Sequence, residues 1–170
     1  MKTVIVFLSL FLAGTGAFSQ TPGWLIDFLR SKGLDKKYEP AAYMKPSFLQ
    51  ADLNGDGSAD IAVLVVEKAS HKKGVLLIAG KSPSYFVVGA GTNFGNGSDD
   101  FSWAGQWSVY NGKSAYETQF DKKSGDVTGG KKIPLTRPCI SIMSVEDGAA
   151  IAGGLIYWTG TKFRWIQQGE

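Results

Sequence analysis

The sequence predicts a mainly β, β-rich α+β domain: antiparallel meander strands in a bent sheet or sandwich, with one N-terminal helix. Three observations carry this. Short runs rich in β-branched and aromatic residues, such as 61–66, 75–79 and 85–88, recur along the chain. The Gly-, Pro- and Ser-bearing connections between them are too short for crossover helices, so the strands are expected to be antiparallel. The chain carries 22 glycines and is 12% Phe, Trp and Tyr, a composition suited to sheets with many turns. Only one segment, 24–32, repeats apolar residues at helical spacing.

The N-terminal end reads as an export signal. Lys2 precedes the apolar run 4–12, and Ala17-Phe18-Ser19 follows with the small-x-small pattern of a cleavage site. Residues 1–19 are therefore expected to be a signal peptide, and 20–170 a single secreted or periplasmic domain. The apolar run is too short to span a bilayer, and no later segment is long enough. The net charge of +3 is too mild to point to nucleic acid. Cys139 is the only cysteine, so no internal disulfide can form, and an exported domain must rely on its core or on a bound ion. Between Pro138 and Ile140, Cys139 reads as a small buried hydrophobe.

The elements follow in order. Thr21 is a candidate helix cap, Pro22 suits the first turn and Gly33 the stop. Trp24, Leu25, Phe28 and Leu29 share one face, which predicts a helix packed on the sheet as a lid. Residues 35–46 read as an irregular connection. Residues 47–51 and 61–66 flank a polar loop as strands. The runs 61–66, 75–79 and 85–88 are apolar at consecutive positions, so both faces of that sheet should be covered. Residues 89–100 form a long Gly-rich loop. Its glycine spacing fits neither a dinucleotide fingerprint nor a phosphate loop. Asn111-Gly112, between 107–110 and 114–120, is the strongest hairpin signal in the chain. Residues 121–132 read as a turn or mobile loop, and 133–135 and 139–143 as short strands. A closing hairpin, 154–158 with 162–167, would pair Tyr157, Trp158, Phe163 and Trp165 across its strands.

The most specific chemistry lies at 52–60. Asp52, Asn54, Asp56 and Asp60 place oxygens at alternate positions, with Gly57 where the loop must turn and the Ser58 carbonyl at the seventh position. Hard cations such as calcium take six to eight oxygens, and short loops supply them at positions 1, 3, 5, 7 and 9. Position 12 is Val63, so this is not an EF-hand, which needs a bidentate Glu there. The competing reading is a polar hairpin whose Asp and Asn side chains bond their own backbone. The stretch FLQADLNGDGSADIAVLVV, residues 48–66, resembles the calcium loop of the FG-GAP/VCBS repeat family of integrin α-subunit propeller blades and secreted bacterial proteins. That resemblance implies a calcium-stabilised β-hairpin and a surface-interaction role, with Asp52, Asn54, Asp56, Ser58 and Asp60 as ligands. The motif occurs once. A blade takes about 40–50 residues, so this chain does not make a complete propeller.

Catalytic devices find little material. His71 is the only histidine and lies in a turn between strands, a poor place for a nucleophile's base. Catalytic zinc needs several His or Cys ligands. Asp99, Asp100, Glu117, Glu146 and Asp147 are candidate hydrolase carboxylates, but no spacing pairs them. The expected function is thus a secreted, non-catalytic domain with structural calcium, serving a protein or carbohydrate partner at the cell exterior. The alternative is a binding protein or inhibitor using the Gly-rich loop and the aromatic residues Phe94, Phe101, Trp103 and Trp107, with Asp99 and Asp100 beside them. That reading requires the rings to be exposed as one patch. A carboxylate-based hydrolase is the remaining alternative.

Overall fold

The computed structural model describes residues 21–169, so the signal peptide expected over 1–19 lies outside the described residues. Helix α1 spans Gly23–Ser31. Pro22, not Thr21, stands at its N-cap, and no side chain caps it. Gly33, at φ 65°, ends it in the left-handed region that favours glycine. Leu25 and Leu29 are buried, whereas Trp24 remains 45% exposed at the edge of the apolar face.

The first sheet contains β1 (Tyr38–Pro40), β2 (Phe48–Ala51), β3 (Asp60–Glu67), β4 (Lys73–Ile78) and β5 (Tyr85–Gly89). Its order is β1-β3-β4-β5, and β2 pairs with β3 beside β1. The second sheet contains β6 (Gln106–Tyr110), β9 (Cys139–Glu146), β10 (Ala149–Trp158) and β11 (Phe163–Gln168), in the order β11-β10-β9-β6. A separate ribbon is made by β7 (Ser114–Phe120) and β8 (Val127–Pro134). Every pairing is antiparallel. Among the described residues there is neither a closed barrel nor a propeller.

Alternation of side chains along the strands sorts the core into layers. Ala62, Leu64, Val75 and Leu77 meet Trp107, Ile140, Ile142 and Ile156 between the two sheets. The opposite face of the first sheet, Val63, Val65, Leu76 and Ile78, packs on Leu25 and Leu29 of the helix. The opposite face of the second sheet, Cys139, Leu155 and Ile166, packs on Ala115 and Leu135. Helix, sheet, sheet and ribbon therefore stack, and both faces of the consecutive apolar strands are covered as expected.

Three local expectations are corrected. Asn111-Gly112 makes no hairpin: β6 pairs with β9, and β7 with β8. Neither residue takes a positive φ. Instead the Tyr110 ring packs on Gly112 and its hydroxyl donates to the Ser114 carbonyl (2.9 Å), guiding the chain from the sheet to the ribbon. The left-handed pair is Asp147-Gly148, at φ 49° and 80°, which joins β9 to β10. Residues 121–132 are not one loop, because β8 begins at Val127 and pairs with β7, with one register shift between Gln119 and Phe120. Its residues are almost all exposed, so no apolar pattern marked it. In the closing hairpin only Trp158 and Phe163 are directly opposed aromatics, at 4.9 Å between centroids. Tyr157 faces Arg164, and Ile156 faces Trp165.

Candidate metal centre and the Gly-rich loop

Loop 52–60 connects β2 to β3, whose last pair is Ala51 with Asp60. Gly55 and Gly57, at φ 79° and 82°, let the chain reverse where L side chains would be strained. The turns aim backbone N–H groups inward, onto the acids. Asp52 accepts from Gly55 (2.7 Å) and Asp56 (3.0 Å) through Oδ1 and from Gly57 (3.0 Å) through Oδ2. Asn54 Oδ1 accepts from the Asp56 N–H (2.8 Å), and Asp56 Oδ1 from the Ser58 N–H (2.9 Å). Asp60, only 3% exposed, is the hub. Its Oδ2 accepts from the N–H groups of Leu53 (2.9 Å) and Asn54 (3.0 Å), and its Oδ1 from Gly80 (2.9 Å). Asn54 Nδ2 bridges Asp56 Oδ2 (3.1 Å) and Asp60 Oδ1 (3.3 Å).

Two partners escaped the sequence. Gly80, in the β4–β5 turn, ties that turn to Asp60, and a Cβ there would run into the Ala59 carbonyl. Arg137, between β8 and β9, donates to the Asn54 carbonyl and lies over Gly55. Neither sits in a motif or a periodic run, so only the packing of distant segments reveals them.

Among the described residues, no three His, Cys, Asp or Glu side chains converge as a metal-holding group. The donor chemistry nevertheless fits a hard cation. Each sp² oxygen has two lone pairs, and Asp52 Oδ2, Asn54 Oδ1 and both Asp56 oxygens accept one hydrogen bond each. The Ser58 carbonyl accepts none among the described residues. Asp52, Asp56 and Asp60 form no salt bridge there either. Asp60 is the exception in the set, because both of its oxygens already take two donors.

The Gly-rich loop is tied down by its own acids. Asp99 pairs with Lys72 (2.5 Å) and raises the lysine's pKa, chiefly through that hydrogen bond. Asp100 accepts from the Lys73 N–H (2.9 Å), the Ser102 N–H (2.9 Å) and the Ser102 hydroxyl (3.0 Å). Burial works against its charged form, but these donors outweigh it and hold the carboxyl below its ordinary value.

The four aromatic rings separate. Phe101 and Trp107 are buried in the core, and the Trp107 indole donates to the Pro46 carbonyl (2.8 Å). Phe94 is half-buried against Trp165, while Trp103 is 37% exposed. They do not form one exposed patch, because β6 turns Trp107 between the sheets. Among the hydrolase candidates, Glu117 pairs with Arg164 (2.8 Å), and Glu146, at the end of β9, and Asp147, in the β9–β10 turn, are exposed. His71 is exposed, and burial pushes the Cys139 thiol up to about 12.

No family model, curated protein or solved structure matches this chain.

Proposed function

We propose that the chain is an exported, non-catalytic domain whose loop 52–60 holds calcium in a structural role. One observation carries the reading. Three carboxylates share this short loop, one of them buried, and no cationic side chain pairs with any of them among the described residues. Carboxylates so placed repel one another, and a divalent cation removes that repulsion. The resemblance of residues 48–66 to the FG-GAP/VCBS calcium loop supports the same assignment. Asp52, Asn54, Asp56, the Ser58 carbonyl and Asp60 would hold the ion. Asp60 would do so by exchanging its contact with Asn54 Nδ2 for the metal. The ion would supply no chemistry beyond fixing β2, β3 and the β4–β5 turn in register.

An extracellular site needs an affinity of only about 10⁻⁴–10⁻³ M. Calcium at 10–100 times its Kd would then add about 1.4–2.7 kcal/mol of stability. For a domain of this size that raises Tm by about 3–10 °C. Calorimetric titration and melting curves in calcium and in EGTA test this. Wild type should bind one ion and melt higher with it, while Asp56→Ala should do neither. A wild-type Tm indifferent to about 10 mM calcium, which is 10–100 times that Kd, with no heat of binding, would refute the proposal.

A further inference from the structure

Strand β11 is a sheet edge, paired with β10 on one side only. Which of its amides face outward follows from the turn before it. In an antiparallel ladder, pairs that exchange backbone hydrogen bonds alternate with pairs that do not. The Thr159 N–H donates to the Lys162 carbonyl (2.9 Å), so these two form a bonded pair. Counting on through the register, Tyr157 with Arg164, Leu155 with Ile166 and Gly153 with Gln168 are the bonded pairs. Phe163, Trp165 and Gln167 therefore aim their N–H and C=O groups away from β10.

The same three residues line a groove of about 530 Å³. Among the described residues, only the Gln167 carbonyl has a protein partner at this edge, the Gln168 Nε2 (3.1 Å). One wall is Phe94 and Asn96 of the Gly-rich loop, and the other is Gln119 and Phe120 of β7. Each wall thus offers one ring beside an amide. Arg164 is neutralised by Glu117, whereas Lys162, at one end, forms no salt bridge among the described residues.

Open edges invite strand addition unless bulges, charges or covering segments blunt them. The β10–β11 register has no bulge. Walls rise on both sides of this edge, a shape that suits one extended segment better than the whole sheet of a second copy. We propose that this edge is a peptide-binding slot. An extended segment of another protein, about five residues long, adds to β11 through main-chain hydrogen bonds to Phe163, Trp165 and Gln167. Its side chains alternate between the two walls, with an apolar residue against each ring and an acidic residue at the Lys162 end. The slot is separate from the loop 52–60 and does not depend on calcium.

The test is to pan a random heptapeptide phage library against the mature chain. Enriched peptides are then synthesised and titrated onto wild type, Gln167→Ala and Gln167→Pro. Both variants lose the Gln167 contact to the Trp165 indole, so they differ in the backbone N–H. Proline is tolerated on an edge whose N–H faces away from the ladder. The expected result is near-equal binding to wild type and Gln167→Ala, and a loss of about tenfold in Gln167→Pro. Hydrogen exchange at Phe163, Trp165 and Gln167 should slow when peptide binds. Should the proline variant misfold, peptides N-methylated at alternate residues replace it and must bind wild type more weakly. The proposal is overturned by a library that yields no binder, or by binding indifferent to both the proline and the N-methyl groups. Protection of these amides by chitohexaose or cellohexaose instead of peptide would also overturn it, as would their burial in a concentration-dependent dimer.

Discussion

Asp60→Ala should be the most damaging single change in the loop, and its cost can be worked from its partners. The side chain is 3% exposed and accepts from the backbone N–H groups of Leu53, Asn54 and Gly80. Leu53 is itself 1% exposed, so its N–H would be left where water does not reach, costing about 1–3 kcal/mol. Asn54 is half-buried and Gly80 exposed, so water replaces Asp60 there and the net loss is about 0.5–1.5 kcal/mol for each. The sum is about 4 kcal/mol. Asp56→Ala removes the acceptor of the Ser58 N–H and of Asn54 Nδ2, both half-buried, and should cost about 2 kcal/mol. Urea denaturation in EGTA, where no ion contributes, measures both, with m-values unchanged from wild type. If Asp60→Ala costs no more than Asp56→Ala under those conditions, Asp60 is not the hub that its hydrogen bonds imply.

Gly80→Ala should destabilise by about 1–3 kcal/mol, because its Cβ meets the Ala59 carbonyl. Urea curves check it, and a neutral result would mean that the β4–β5 turn moves freely from the loop. Asp100 supplies a pH dependence. Its folded pKa lies below the ordinary 3.8, so its contribution is fully present above 3.8 and is lost as the pH falls through the folded value. Hydrogen-exchange protection at the Lys73 and Ser102 amides should follow that loss, and a carboxyl titrating above 3.8 by NMR would contradict it. Cys139, fully buried with its thiol raised to about 12, should react with a thiol reagent at pH 8 only as fast as the chain unfolds. Rapid modification of the native protein would place the sulfur elsewhere.

Elements that announce themselves locally were legible in the sequence. The consecutive apolar runs of β3, β4 and β5 required cover on both faces, and the helix and second sheet provide it. The alternation of oxygens at Asp52, Asn54 and Asp56 marked a loop whose side chains turn inward on each other. Strand β8 was hidden because its exposed, Gly- and Lys-bearing residues carry no apolar signature. Asn111-Gly112 misled because its local preference for a tight turn lost to the pairing of β6 with β9, which buries Trp107. The β9–β10 turn fell instead to Asp147-Gly148.

By itself, the sequence determined the class of fold, the position of the helix and the inventory of oxygens in the loop 52–60, since each depends on residues close together along the chain. Only the tertiary structure decided that Gly80 and Arg137 close around that loop, that Phe101 and Trp107 belong to the core, and that β11 leaves an edge in a walled groove. Those outcomes turn on which strands pair and which faces stack. Such choices are set by long-range burial and by hydrogen-bond register, to which no short stretch of sequence is sensitive.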